Sequence, residues 1–108
     1  MSRPLQPINQ EAMNCGQEFS VKVQGKHIIT APDLYGIITQ LRAIDYTEYK
    51  NNAEYKSNMK QRILDYHGIV IEYLSDREFI NELIRVEFIT GWAFKNMFGM
   101  VVSFGDLS

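Results

Sequence analysis

The sequence predicts an α+β fold: a small mixed sheet, built from an N-terminal β-hairpin and a central strand, with helices packed on one face. Three observations predict it. Phe19, Val21 and Val23 alternate with Ser20, Lys22 and Gln24, the period of a half-buried strand. Leu34, Ile37, Ile38, Leu41 and Ile44 recur at helical spacing, as do Phe79, Ile80, Leu83 and Ile84, each set making one apolar stripe. Ile69-Val70-Ile71-Glu72-Tyr73-Leu74 is β-branched on both faces, as a strand covered from both sides would be.

In chain order, residues 1–17 are polar, carry Pro4 and Pro7 and show no period, so they read as a flexible arm, free or laid on a partner. The domain is expected to span residues 18–108. Its first strand turns at Gln24-Gly25, where glycine tolerates the positive φ of a tight hairpin, and Lys26 to Thr30 returns. Thr30-Ala31-Pro32-Asp33 then offers an N-cap hydroxyl, a first-turn proline and a carboxylate at the third position. The helix it opens carries Gly36, which weakens it by about 1 kcal/mol relative to alanine unless close packing needs the space.

A second helix is expected from about Thr47 to Tyr66, capped by Asp45 or Thr47, with Tyr49, Ala53, Met59, Ile63 and Tyr66 as a thin apolar face. Gly68 is placed to end it in the left-handed conformation. After the strand at 69–74, Ser75-Asp76-Arg77-Glu78 is a capping box and the clearest local signal in the chain. Its helix is expected to widen through Val86, Phe88 and Ile89 and to stop at Gly91. Trp92 to Phe98 then reads as a short helix and Met100 to Phe104 as a strand, punctuated by Gly99 and Gly105.

Composition narrows the function classes. The chain has 108 residues, 45% of them hydrophobic and 22% charged, with net charge −2. Residues 1–44 sum to +1, 45–68 to zero and 69–108 to −3, so no block supplies the field that draws in nucleic acid or an anionic membrane. One cysteine, Cys15, excludes an internal disulfide or a Cys-rich zinc module. Met1 to Gln17 lacks the apolar core of a secretory signal, and Lys95-Asn96 interrupts the longest apolar stretch before it reaches membrane-spanning length. A reducing cytoplasm and no membrane partner are therefore expected.

Catalytic readings find little to stand on. His27 and His67 lie 40 positions apart with no carboxylate at metal-ligand spacing, so neither a metal nor a cofactor is expected. Cys15 falls in the arm, away from any helix N-terminus that would activate it. Glu72, Asp76, Glu78 and Glu82 cluster in sequence. Capping and dipole complementation account for Glu78 and Asp76, leaving a hydrolase as a minor reading that needs a pocket. The passage HGIVIEYLSDREFINELI is a common βα unit and is silent on function.

Two binding readings remain. Residues 92–104 hold nine apolar side chains in thirteen positions, on top of a core the earlier elements already supply. That surplus predicts a non-enzymatic, protein-binding chain that self-associates through its C-terminal segment, with Trp92, Phe94, Phe98, Met100 and Phe104 as contact residues. An accessory, regulatory or inhibitor subunit, encoded by a phage or plasmid among other origins, fits this description. The alternative is single-stranded nucleic-acid binding by the second helix, where Tyr49, Lys50, Lys56, Lys60 and Arg62 interleave aromatic rings with cations. Glu48, Glu54 and Asp65 in the same segment cancel most of that charge.

Overall fold

The computed structural model describes residues 5–105. They form α1 (Gln10–Cys15), β1 (Gly16–Val23), β2 (His27–Ala31), α2 (Leu34–Ile44), α3 (Asn52–His67), α4 (Asp76–Arg85), β3 (Ile89–Asn96) and β4 (Val101–Gly105). The fold is α+β. Its single described sheet has the order β2-β1-β3-β4, and every pair is antiparallel rather than mixed.

Register sorts the side chains onto two faces. Val21 lies between Ile29 and Trp92, and Phe19 between Ala31 and Phe94, so these rows point one way and are buried beneath the helices. The opposite face carries Ser20, Thr30, Lys95, Val101 and Ser103, all exposed or half-buried. Ser20 and Thr30 share a hydrogen bond there at 2.9 Å. The core is closed by Ile37, Ile38 and Leu41 of α2, Met59 and Ile63 of α3, and Phe79, Ile80 and Leu83 of α4.

Local chemistry places the helices. Asp33 caps α2 by accepting from Gly36 N at 2.7 Å, three residues later than Thr30, because β2 holds the chain extended through Ala31. Gly36 is needed for space: a Cβ there would lie 2.9 Å from the Ala31 Cβ, so its absence lets α2 lie on β2. Asn51 caps α3, so Tyr49 and Lys50 precede the helix instead of belonging to it. Gly68 ends α3 in the left-handed conformation, as expected. Ser75 and Glu78 close the capping box, with Glu78 N donating to Ser75 Oγ at 3.1 Å and Leu74 N to Glu78 Oε1 at 3.1 Å.

Three expectations require correction. Residues 69–74 form no strand. They are the α3–α4 connector, with Ile71 fully buried, Leu74 96% exposed, and the Val70 carbonyl accepting from Arg85 at 3.3 Å. The central position beside β1 belongs to β3, and residues 69–74 pair with no strand of the described sheet. The second correction is β3 itself, expected as a short helix over 92–98. Trp92 and Phe94 alternate with Ala93 and Lys95, and pairing with β1 at seven positions outweighs local preference. Helix α4 correspondingly stops at Arg85. Phe88 N donates to Leu83 O at 2.9 Å and Glu87 takes φ 66°, the geometry of a left-handed cap with no glycine to announce it.

The third difference lies at the N-terminus. From Leu5 to Cys15 the segment read as an arm lies against α4 and the sheet, while residues 1–4 fall outside the described residues. Ile8 and Ala12 are buried. Asn81 brackets Ile8, its Oδ1 accepting from Ile8 N at 2.7 Å. Arg77 donates to Ile8 O at 3.0 Å, and the Trp92 indole N–H donates to Gln6 O at 2.7 Å. Two prolines and a polar composition disguised a strap that is held by hydrogen bonds from side chains far along the chain.

Candidate functional site

The five apolar residues expected to form one contact surface fall into two environments. Trp92 and Phe94 are core residues, 0% and 1% exposed. They stack on each other at 6.1 Å, and Trp92 stacks on half-buried Phe104 at 4.3 Å with the rings 16° from parallel. Phe98 and Met100, by contrast, are 81% and 64% exposed. Met97, Val101 and Val102, which were not singled out, join them as exposed apolar side chains.

These residues sit where the sheet ends. β4 is paired with β3 on one side and with no described strand on the other, so half of its backbone donors and acceptors face outward. The turn that leads into it is tightly built. Asn96 N donates to Met100 O and Gly99 N to Asn96 O, both at 2.9 Å. The Asn96 side-chain oxygen accepts from Phe98 N at 2.9 Å and from Met100 N at 3.0 Å. Gly99 supplies the positive φ of 79° that the turn requires. Phe98 is therefore presented on an ordered loop, which lowers the entropy lost when a partner covers it.

Electrostatics are conspicuous by sign. Residues 97–105 contain no ionisable side chain, and Lys95 is the nearest charge within β3. Exposed edge strands are ordinarily blunted by lysine, proline or inward charges. Beyond the turn, β4 has none of these; Val101 and Ser103 are exposed on the open face of the sheet and Val102, beside Phe94, on the helix-side face. The signal for this hairpin was present in sequence: Asn96 and Gly99 between two alternating runs, Trp92/Phe94 and Val102/Phe104.

The residues of the nucleic-acid alternative are largely occupied with one another and with the core. Lys56 pairs with Asp76 at 2.9 Å and lies over the Tyr73 ring at 5.5 Å. Arg62 pairs with Asp45 at 3.1 Å and also donates to Tyr49 Oη and Asn58 Oδ1, each at 3.1 Å. Burial alone would lower the Arg62 pKa, but the hydrogen bond and charge of Asp45 outweigh it and raise the value. Lys50 and Lys60 are exposed. Tyr49 donates its hydroxyl to Asn58 and rests edge-on against Tyr55. No shared face of rings and available cations results.

The carboxylates are likewise dispersed. Asp76 is taken by Lys56, Glu82 by Arg85, and Glu72 is exposed. Among the described residues no three His, Cys, Asp or Glu side chains gather in a way that could hold a metal ion. No described helix is long and apolar enough to cross a membrane. No protein-family model, curated protein or solved structure matches this chain.

Proposed function

We propose that this chain is a non-enzymatic protein-binding module whose contact surface is the free edge of β4 together with the 97–100 turn. The first partner we assign to it is a second copy of the same chain. One observation carries the reading: an ordered, uncharged and exposed apolar strip lies along an unpaired strand. An antiparallel β4–β4 pairing is self-complementary, as a two-fold interface must be. It satisfies the outward backbone groups and brings Val102 and Phe104 of both copies together over one extended sheet. Phe98 and Met100 add the aromatic and sulfur-bearing contacts in which binding energy concentrates. An accessory, regulatory or inhibitor subunit is the role such a surface fits, and the same edge can pair with a strand of another protein.

Sedimentation equilibrium combined with amide hydrogen exchange tests it. A dimer is expected at micromolar chain concentration, with exchange of the Val101–Gly105 amides slowing as concentration rises. Val102→Lys, which places a charge on the edge, should return the chain to a monomer while leaving its circular dichroism unchanged. A monomer at every concentration, with β4 amides exchanging freely, would sink the self-association.

A further inference from the structure

A second concave feature lies at the opposite end of β1 and β3 from the 97–100 turn. The C-terminal half of α2, the face of α3 and the 86–88 link enclose a groove of about 710 Å3, within the range of roughly 300–1,000 Å3 typical of small-molecule sites. Its walls are apolar, with Leu41, Met59, Ile63 and Phe88 among them. Exposed Tyr46 and Tyr66 stand at the rim. Such a groove is by itself only a hydrophobic depression; two polar features give it direction.

The first is Tyr55. Its side chain is 1% exposed and lines the groove, with its ring held edge-on between Tyr49 and Phe79. No hydrogen bond joins its hydroxyl to a described residue, and the oxygen is not among the fully enclosed polar atoms that lack a partner, so it meets the groove as a donor. Burial, reinforced by the Asp45 charge, pushes its pKa up, so the phenol stays protonated and remains a donor. The second is the Asp45–Arg62 pair, which also lines the groove. Its charges cancel, and three of the five guanidinium N–H donors go to Asp45, Tyr49 and Asn58.

We propose that this groove is a binding site for a neutral small molecule with an apolar body and a carbonyl or hydroxyl head, seated with the head accepting from Tyr55. A carboxylate head would meet the Asp45 charge and would have to compete with it for the Arg62 guanidinium. A cationic head would compete with Arg62 for Asp45. His27, His67 and Glu87 stand at the exposed lip, where solvent and salt screen them. The site is independent of the β4 edge, so either reading can fail without the other.

The test is a pair of probes of similar shape, acetophenone and ethylbenzene, titrated into the isotope-labelled full chain and followed by amide and methyl NMR shifts. Both should shift residues of the groove, Ile63 and Phe88 among them, and leave β4 unmoved. Tyr55→Phe keeps the ring and should weaken acetophenone about five-fold, the worth of one hydrogen bond, with ethylbenzene unchanged. Ile44→Trp, at an exposed position on the groove wall, should block both probes. Equal effects of Tyr55→Phe on the two probes, shifts scattered over the surface, or no saturable binding would overturn the proposal. So would groove shifts produced by dilution alone, which would mark the occupant as a second copy of the chain.

Discussion

Residues 89–96 and 97–105 are neighbouring halves of one hairpin, with four apolar side chains in eight and six in nine, yet it is the less apolar half that is buried. In β3 the large side chains Trp92 and Phe94 are enclosed by β1, the helices and the N-terminal strap. In the turn and β4, Phe98, Met100 and Val101 face solvent. Hydrophobicity along the chain cannot account for the fates of the two halves. What separates them is position: β3 has a strand on each side, and β4 has one. An apolar residue on a central strand reports on stability, whereas the same residue on an uncovered edge reports on association.

Truncating the buried half is expected to have the largest effect. Trp92→Ala removes an indole stacked on Phe94 and Phe104 and donating to Gln6 O. It should cost about 3–5 kcal/mol of unfolding free energy, measured by denaturant titration. A loss below about 1 kcal/mol would erase the distinction between the halves, since it would mean Trp92 is no more structural than an exposed residue. Next comes the cover over that tryptophan. Asn81→Ala leaves Ile8 N without its acceptor, and should cost about 1–3 kcal/mol. The Trp92 emission should move to longer wavelength as the strap loosens; an unchanged spectrum with unchanged stability would show that the strap contributes nothing to the burial.

How much of this was legible in the sequence follows the same line between local and long-range causes. The β1–β2 hairpin, the stripes of α2 and α4, the Ser75–Glu78 capping box and the Gly68 cap are local signals, and each is found where the residues place it. The errors arise where partners distant in sequence decide. Ile69–Leu74 has stronger strand composition than Ile89–Asn96, but only the latter lies beside β1. The polar 5–15 segment is held by Arg77, Asn81 and Trp92, all more than sixty positions away. At the candidate site, the surplus of apolar residues over 92–104 was readable; its division into core and surface was not. Lys56 and Arg62 looked available in sequence because Asp76 and Asp45 stand 20 and 17 positions from them.

A smaller effect, about 1 kcal/mol or less, is expected from Asn96→Ala. Its two hydrogen bonds to Phe98 N and Met100 N are exposed, so water can replace them. The substitution removes no apolar contact, but it releases the turn that presents Phe98. Dimer affinity should fall by more than stability does, because a mobile Phe98 must be ordered on binding. Sedimentation equilibrium and denaturant titration on the same variant compare the two. Equal losses would show that the turn serves the fold alone.

The smallest effect is in the response to alkali, and it contrasts the hairpin with the far end of the molecule. Residues 97–105 have nothing to titrate, so association through them should be flat between about pH 6 and 9, where histidine, cysteine and the terminal amine are the groups that ordinarily change charge. Tyr55, in the α2–α3 groove, behaves differently: burial first, and then the Asp45 charge, raise its pKa above the ordinary 10.0. The folded state thus holds that proton more tightly than the unfolded chain. Its contribution to stability is complete below about pH 10 and is lost progressively as pH rises above it. Tyr55→Phe should reduce the alkaline slope of unfolding free energy and leave the dimer midpoint at neutral pH where it was. An alkaline slope identical in the two proteins would mean the Tyr55 phenol ionises as readily in the fold as out of it, and that the groove is wetter than its apolar walls imply.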